Sequence, residues 1–322
     1  MTLMHLSAEC HDRAVGALTG TAVGDALGAG YEFEDFVDPA TIEMLPGKLT
    51  GRPAGHWTDD TDMAMAIALA AAEYGTLTTE AARTRVAENF LAWFASNPPD
   101  VGMQTRAVLG ACGEPRNMMD VAASFQARRP DAAGNGSLMR TAPVALADCN
   151  NLADVANSAA AISALTHPHR DAQDACVLWS VAIALGVAGS PSLRESMDTA
   201  LTYLEPHSET RWRDLLTEAE ECDLMHLAPN GWVVRALQSA WRAAVEVEHA
   251  DPTLAFADGV RFAISLGDDT DTIAAIAGGL LGAHFGASSI PRSWRTNLAG
   301  WPKGYGNDEL SALAVTLVNS AN

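Results

Sequence analysis

The sequence has few basic residues for its length. Among 322 residues it has 20 Lys and Arg against 40 Asp and Glu, which gives a formal net charge of −20. No Lys or Arg cluster offers a contact surface for a phosphate backbone, so we do not expect nucleic acid as a bulk ligand. An anionic ligand would need local help from helix N-termini or a bound cation, because the overall field repels it.

Paired cysteines and long apolar runs are also lacking. The five cysteines are scattered and form no Cys-x-x-Cys pair, which favours reduced thiols in a cytoplasmic compartment. The longest apolar runs, residues 63–72 and 273–283, are shorter than the ~20 residues that cross a bilayer. Glu9, Asp12 and Arg13 stand where a signal peptide would be apolar. We therefore expect a cytoplasmic protein with no membrane partner.

Alternating β-branched runs and linker-like segments are absent as well. Hydrophobic residues make up 48% of the chain and charged residues 19%, which is enough for a large core. The pattern predicts an all-α fold, in a single compact multi-helix domain over residues 1–322 that we expect to be a monomer. Apolar residues recur at helical spacing from Val15 to Leu27 and over residues 63–74, 81–94, 153–165, 172–187, 233–247 and 272–285.

These predicted helices are rich in Ala and Gly, which permits close helix crossings. Residues 272–285 are apolar nearly all round, so this helix should be central, with the polar helices outside.

One short string occurs twice. Asp-Asp-Thr-Asp stands at residues 59–62 and again at 268–271, each time just before a strongly apolar predicted helix. Asp and Thr are good helix caps, but a single Asp would suffice for capping. Three carboxylates within four residues repel one another, so the repeat favours a bound cation. Oxygen ligands without His or Cys favour Mg²⁺ or Mn²⁺ over Zn²⁺.

A glycine-rich stretch, residues 24–32, should end the first helix and leave Glu32 on a loop. Such a loop carboxylate is most often solvated and without a role. From the local sequence alone, a catalytic role for Glu32 is the minority interpretation.

A second glycine-rich turn, Gly134-Asn135-Gly136, precedes what reads as a helix, and its backbone N–H groups could bind a phosphate. It matches neither a Walker loop nor a dinucleotide fingerprint, and an ordinary loop is the alternative.

Two further residues carry alternatives of their own. His167 lies in Thr-His-Pro-His, where Pro168 and Asp171 mark the start of a helix; two histidines at this spacing could bind a metal, but more often they cap a helix or bond locally. Trp232 stands at the start of another helix, where it either stacks on a sugar or base or packs in the core.

Five motifs in this order resemble the ADP-ribosylglycohydrolase family, over about residues 12 to 286. They are Gly-Asp-x-x-Gly-x-x-x-Glu at 24–32, Trp-Thr-Asp-Asp-Thr at 57–61, Gly-Asn-Gly-x-x-x-Arg at 134–140, Thr-His at 166–167 and Asp-Thr-Asp-Thr at 269–272. The resemblance implies an all-helical fold with a central dinuclear cleft that binds two Mg²⁺ or Mn²⁺ ions.

The resemblance also implies roles for individual residues. Glu32 would be catalytic, and His167 would line the same cleft. The metal ligands would be Thr58, Asp59, Asp60, Asp269, Asp271 and Thr272, and the substrate-binding residues would be Gly134, Asn135, Gly136, His167 and Trp232. Asp62 and Asp268 would lie behind the ligands or cap helices.

Two positions depart from the family pattern. Asp268 stands where the family often has glycine, and Trp232 stands where many relatives have tyrosine. Neither departure removes a ligand.

The implied activity is hydrolysis of the glycosidic bond between ADP-ribose and an acceptor, which is an ADP-ribosylated protein side chain such as arginine or a small-molecule conjugate. Two alternatives stay open: a metal-dependent phosphohydrolase of a nucleotide or ADP-ribose derivative, and a non-catalytic ADP-ribose-binding or crystallin-like member. One group of acidic residues has two interpretations. It lies on a loop over residues 206–229 and binds a guanidinium, or it forms a solvated helix face. The group is Glu218, Glu220, Glu221 and Asp223.

Overall fold

The computed structural model describes residues 7–321, and within them the protein is almost entirely helical, as the sequence pattern predicts. The α-helices are α1 (Ala8–Gly28), α2 (Asp59–Tyr74), α3 (Glu80–Ala95), α4 (Met103–Ala111), α5 (Met118–Arg128), α6 (Ala142–Ala147), α7 (Leu152–Ala164), α8 (Arg170–Ala188), α9 (Leu193–Leu201), α10 (Pro206–Glu221), α11 (Val233–Glu246), α12 (Pro252–Ser265), α13 (Thr270–Phe285), α14 (Arg292–Arg295) and α15 (Asn307–Ser320).

Short elements complete the described chain. One-turn 3₁₀ helices lie at Pro39–Thr41, Pro115–Asn117, Leu224–Leu227 and Ala287–Ser289. Two strands of two residues each, β1 (Ala299–Gly300) and β2 (Tyr305–Gly306), pair antiparallel with Ala299 opposite Gly306. This small ribbon is the only exception to the predicted all-α fold within residues 7–321.

Helix α13 is the central element, as its apolar sequence predicts. Every residue from 270 to 283 is buried, and the helix packs against α1, α8, α11 and α12. Helix α1 lies along its length and is itself covered by α15 near the other end of the chain. The core therefore forms around the α1–α13 pair, and the polar helices α9 and α10 lie farther out.

The α1–α13 contact depends on glycine. A Cβ on Gly16, Gly20 or Gly24 would lie 2.1, 2.2 or 2.0 Å from a carbonyl oxygen of α13, a distance that no side chain could occupy. Gly278 on α13 faces Gly20 in the same way, with 2.2 Å between its added Cβ and the Gly20 oxygen. Glycines four residues apart lie on one helix face, so the two backbones touch directly along that face.

Helix α8 has the length and hydropathy of a membrane-spanning segment, but 78% of its most apolar window is buried inside the fold. It packs between α7, α9 and α13. Burial on all sides is what an apolar core helix needs, so its hydropathy is accounted for by the protein interior. All five cysteines are free, in agreement with the expectation of reduced thiols.

We predict that Gly20→Ala destabilises the fold by about 1–3 kcal/mol, because its methyl group must push α1 away from α13. Urea denaturation measures the change in the free energy of unfolding. Gly113→Ala is the matched control, since a Cβ there meets no atom within 4 Å. Equal stability of the two variants would contradict the direct backbone contact.

Candidate active site

The N-terminus of α2 is capped by a carboxylate from another helix. Asp25 on α1 is fully buried. One of its oxygens accepts hydrogen bonds from the Thr58 backbone N–H and hydroxyl, both at 2.8 Å. Its other oxygen accepts from the Thr61 backbone N–H at 3.0 Å and from the Thr61 hydroxyl at 2.6 Å. The carboxylates of residues 59 and 60 are therefore not needed as caps.

This cap explains a difference from the predicted helix boundaries. The acidic strings were expected to precede their helices, yet α2 begins at Asp59 and α13 at Thr270. The first string therefore forms the first turn of α2, whereas only the last two residues of the second string lie in the first turn of α13, with Asp269 as its cap residue. Asp25 accepts hydrogen bonds from the N–H groups of Thr58, the cap residue, and Thr61 in the first turn of α2, a partner that local sequence could not assign.

Three carboxylates from three helices meet at this point. Asp25, Asp60 and Asp271 each offer an oxygen, and these oxygens lie within 4.8 Å of one another. The Thr58 hydroxyl lies within hydrogen-bond distance of one oxygen from each, at 2.8, 3.1 and 3.3 Å respectively. A hydroxyl has a single proton to donate, so at least two of these three contacts bring oxygen against oxygen without a proton from the hydroxyl between them.

Two buried carboxylate oxygens at this site have no hydrogen-bond partner among the described residues. They are Oδ1 of Asp60 and Oε2 of Glu32, which are 1% and 3% exposed as residues. Burial, followed by the charge of neighbouring carboxylates, raises the pKa of Asp60 and Asp271 well above the usual value. Burial, then the charges of Asp100 and Asp269, raises the pKa of Glu32 to about 8. This group of carboxylates therefore lacks a compensating positive charge.

A divalent cation fits this group of residues. Every donor at the point of convergence is a carboxylate or hydroxyl oxygen, which suits a hard cation, and the unpaired oxygens are free to coordinate one. Lone buried carboxylates are costly unless they are paired or coordinate a metal. The structure thus supports a metal site, although it adds Asp25 to the residues that were predicted from sequence.

The predicted metal ligands lie at two depths of one cleft, whose volume is about 650 Å³. Asp59, Asp269, Asp271 and Thr272 line it, together with Glu32. Thr58 and Asp60 are buried beneath its floor, where they contact the other carboxylates. All six predicted ligands and the predicted catalytic residue are therefore brought to the same region.

The Gly134-Asn135-Gly136 turn forms another wall of the cleft. The Asn135 side chain donates to an Asp269 oxygen at 2.6 Å, and its backbone N–H donates to the Gly231 carbonyl at 3.1 Å. The predicted helix does not follow directly, because residues 136–140 are a turn and α6 begins only at Ala142. A helix N-terminus is therefore not the source of the free N–H groups at this turn.

His167 is buried against this glycine turn and is not a helix cap. It lines the cleft, and a Cβ on Gly136 would lie 3.1 Å from its ring. Helix α8 begins at Arg170, with His169 as its cap, as the Pro168–Asp171 pattern predicted. Because a larger residue than glycine would press on the ring, Gly136 and His167 fit together.

Trp232 adjoins the cleft without lining it. It is the cap residue of α11, as predicted, and it is 43% exposed, so core packing is the wrong interpretation. It borders a neighbouring pocket together with Gly134 and Gly231. Its ring is therefore accessible beside the glycine turn.

The acidic segment around Glu218 and Glu220 is helix α10, not a loop. Glu220 pairs with Arg194 at 2.5 Å, and Glu218 pairs with Arg235 at 3.4 Å. These carboxylates already have cationic partners within the chain and lie outside the residues that line the cleft.

Several site residues escaped the sequence analysis. Asp25 is the only charged residue among the buried positions of α1, and a lone Asp in an apolar helix is the signal that could have marked it. Asp100 lines the cleft, but no local pattern distinguishes it. Asn230 accepts from the Asp269 backbone N–H at 3.0 Å and holds the start of α13.

The sequence profile described as ADP-ribosylglycohydrolase matches residues 6–322, almost the whole chain. The chain belongs to the ADP-ribosylglycohydrolase family. It is a hydrolase of that family, with the all-helical fold that the sequence motifs implied.

Known relatives of this ADP-ribosylglycohydrolase resemble it over most of its length. ADP-ribosyl-[dinitrogen reductase] glycohydrolase of Rhodospirillum rubrum is 29% identical over 296 residues, which cover 89% of this chain and 90% of the relative. ADP-ribosylarginine hydrolase Tri1 of Pseudomonas putida (strain GB-1) is 29% identical over 89% of this chain and 74% of its own. A solved structure titled ADP-ribosylglycohydrolase-related protein complex superposes with a TM-score of 0.75 and 29% identity, covering 98% of this chain and 100% of the other.

The glycine that the family resemblance leads us to expect at position 268 has a backbone explanation. Asp268 has a φ of +61°, in the left-handed region that glycine enters most readily and Asp tolerates. Its side chain turns to the Asn230 backbone N–H at 2.7 Å. The extra charge of this glycohydrolase is therefore used in a local hydrogen bond beside the metal group.

Asp62 lies in the same helical turn as Asp60 and is fully paired. It accepts hydrogen bonds from the indole N–H groups of Trp57 and Trp93, from the Trp301 backbone N–H and from the Arg52 guanidinium, at 2.9 to 3.0 Å. Asp62 thus joins α2, α3 and the segment before β2, and it has no oxygen left for a metal.

We predict that Mg²⁺ or Mn²⁺ stabilises the protein and that Asp60→Asn abolishes this effect. At a metal concentration a hundred times the Kd, the wild type should gain about 2.7 kcal/mol. Without metal, Asp60→Asn should melt at the wild-type Tm or above it, because one buried charge is gone. Thermal melts with and without metal measure both effects, and an unchanged metal response in Asp60→Asn would refute the site.

Asp62→Asn should behave in the opposite way. We expect a loss of about 3 kcal/mol or more in metal-free stability, because an amide NH₂ would face donors in place of a carboxylate oxygen. The metal-induced rise in Tm should persist, since Asp62 has no free oxygen. Loss of the metal response without loss of metal-free stability would overturn this assignment.

Proposed function

We propose that this chain hydrolyses the glycosidic bond between ADP-ribose and a protein side chain, with arginine as the first candidate, and releases ADP-ribose. The observation that carries the proposal is that Glu32 lies buried, with Oε2 unpaired, in the cleft that also holds the convergent carboxylates. Two of the relatives support the acceptor, because their names describe an ADP-ribosylarginine hydrolase and an enzyme acting on ADP-ribosyl-[dinitrogen reductase].

We propose that two divalent ions, Mg²⁺ or Mn²⁺, bind in this cleft. When bound, such ions orient a sugar's hydroxyls and stabilise the charge that develops as the glycosidic bond breaks. The ligands would be Thr58, Asp59, Asp60, Asp269, Asp271 and Thr272, with Asp25 added by its position beside Asp60 and Asp271. The unpaired oxygen of Asp60 is the strongest support for a ligand role.

Glu32 would act on water or on the leaving side chain. Its turn position after α1 keeps the carboxylate at the cleft wall, and burial keeps bulk water from it. A carboxylate with one unpaired oxygen can accept a proton from an attacking water, and the protonated acid can then pass it to the leaving group. Burial, then the charges of Asp100 and Asp269, raises the pKa of Glu32 and so favours its protonated form in the metal-free protein.

The glycine turn would hold the diphosphate of ADP-ribose. No hydrogen bond within residues 7–321 uses the backbone N–H of Gly134 or Gly136, so both can donate to phosphate oxygens. Asn135 would act through Asp269, to which its side chain is bonded. His167 would donate from the cleft wall, and the exposed Trp232 ring would stack on a sugar or base beside the turn.

We further propose a monomeric, cytoplasmic protein with one domain over residues 1–322. The packing of α1 against both α13 and α15 supports the single domain, because it joins the two ends of the chain. Free cysteines support the compartment. A small-molecule ADP-ribose conjugate is the other substrate class that the same cleft would accept.

The substrate can be tested with matched peptides. We predict that the protein releases ADP-ribose from an arginine-linked ADP-ribosyl peptide in Mg²⁺ and releases none in EDTA. Chromatography of the reaction measures the product. A serine-linked peptide tests the acceptor. Release of AMP in place of ADP-ribose would refute glycosidic hydrolysis and indicate a phosphohydrolase, and binding of ADP-ribose without turnover of either peptide would count against arginine and serine linkages.

Glu32→Gln should lower turnover about 10²- to 10⁴-fold, because the amide can neither accept nor return a proton. The metal-induced rise in Tm should remain, since the metal group lies on other residues. Glu34→Gln is the matched control, because Glu34 is exposed and pairs only with Lys48. A fully active Glu32→Gln enzyme would refute the assigned role.

A further inference from the structure

A fully buried arginine lies beside the cleft without a carboxylate partner among residues 7–321. Arg140 packs its guanidinium 4.4 Å over the Phe90 ring and donates to the Met63 sulfur at 3.3 Å. Its Nε has no acceptor, and its remaining hydrogen bond goes to the Thr166 hydroxyl at 2.7 Å. Burial lowers the pKa of Arg140 to about 10, so the side chain stays charged at neutral pH.

The Thr166 hydroxyl connects this arginine to His167. Its oxygen lies 2.7 Å from Arg140 Nη2 and 2.7 Å from His167 Nδ1, and the residue is fully buried. A guanidinium can only donate, so Thr166 accepts from Arg140. The hydroxyl proton then has one acceptor within reach, which is Nδ1 of His167. A proton on Nδ1 would leave the buried hydroxyl without an acceptor, at a cost.

The other ring nitrogen of His167 faces the cleft. Its Nε2 lies 3.2 Å from the position that a Cβ on Gly136 would take and 3.7 Å from that on Gly134. No hydrogen bond within the described chain uses Nε2. With Nδ1 accepting from Thr166, the neutral ring must carry its proton on Nε2, beside the glycine turn.

We propose that Arg140 and Thr166 are positioning residues that hold His167 as the neutral Nε2–H tautomer, so that it donates a hydrogen bond to a ligand oxygen in the cleft. The identity of that ligand as ADP-ribose rests on the proposed function, whereas the tautomer does not. In this state Nε2 has no lone pair free, so His167 binds the ligand and does not act as a base.

The fixed charge of Arg140 also keeps His167 neutral. Burial, and then the nearby guanidinium, lower the pKa of His167 well below its usual value. A neutral ring keeps its single acceptor nitrogen for Thr166 and its single donor for the ligand, whereas a doubly protonated ring would lose the hydrogen bond from the hydroxyl.

The tautomer can be measured directly by NMR. In protein with ¹⁵N-labelled histidine, long-range ¹H–¹⁵N spectra distinguish protonated from unprotonated ring nitrogens, and His167→Gln assigns the signal among the nine histidines. We expect Nδ1 unprotonated and Nε2 protonated in the wild type and in Thr166→Ser, which keeps the hydroxyl. Thr166→Val, which removes it at similar volume, should lose this preference. A proton on Nδ1 in the wild type, or an unchanged tautomer in Thr166→Val, would overturn the proposal.

Arg140→Met tests the first residue of the hydrogen-bonded series Arg140–Thr166–His167. If it folds, as judged by a cooperative thermal melt, His167 should become a mixture of tautomers, because the hydroxyl is released from its donor. A wild-type tautomer in folded Arg140→Met would show that Arg140 has no positioning role. If it does not fold, the Thr166 pair still decides the proposal.

Binding of free ADP-ribose supplies the second readout. Calorimetry should show about fivefold weaker binding by Thr166→Val and a Kd within about twofold of the wild type for Thr166→Ser, as expected for one misdirected hydrogen bond. Equal affinity of Thr166→Val and wild type would contradict the donor role. If the wild type does not bind ADP-ribose at all, the proposed function fails, and the NMR result still decides the tautomer.

Discussion

The direct contact between the α1 and α13 backbones is the constraint on which the site depends. At its cleft end, a Cβ on Gly28 would lie 2.5 Å from the Cα of Asp271, so the two helices touch where their carboxylates begin. Asp25 and Asp271 can therefore approach each other only because glycines remove the side chains between the helices. The same closeness lets Asp25 reach the N-terminus of α2 and bring Asp60 to the group.

Asp60 and Asp62 show two solutions to burying a carboxylate in one helical turn. Asp62 accepts four hydrogen bonds, one of them from an arginine, which makes it part of the framework that orders the tryptophans around it. Asp60 is left with an unpaired oxygen and a strongly raised pKa, because burial and neighbouring charges both oppose its ionised form. Buried polar atoms are usually paired, so the unpaired oxygen of Asp60 beside two other carboxylates supports the proposed cation site.

The sequence allowed the fold class and most of the site to be predicted, because helical periodicity and the repeated acidic string are local signals. The resemblance to a family predicted that Glu32 and six candidate metal ligands share one site, and the structure places these seven residues in or beside one cleft. Asp25 and Arg140 stand within the quoted motifs without an assigned role, and Asn230 was not singled out, since the contacts of all three are with residues far along the chain. The same holds for the start of α2, which depends on a cap from α1.

The two sides of the cleft differ in charge: one is lined by carboxylates and the other by neutral donors. This difference fits a ligand that combines a sugar with a diphosphate. The carboxylate side repels phosphate unless cations are bound, whereas the turn at Gly134 and Gly136 offers neutral N–H donors. Behind this second side, the chain places the buried charge of Arg140, which acts through Thr166 on the donor of His167. The neutral donor is His167, and the fixed positive charge behind it is Arg140. Together they attract an anion without forming an ion pair with the nearby aspartates. In a protein of net charge −20, a proposed anion site of this kind depends on such local donors, and the Asn135–Asp269 hydrogen bond joins it to the carboxylates proposed to bind metal.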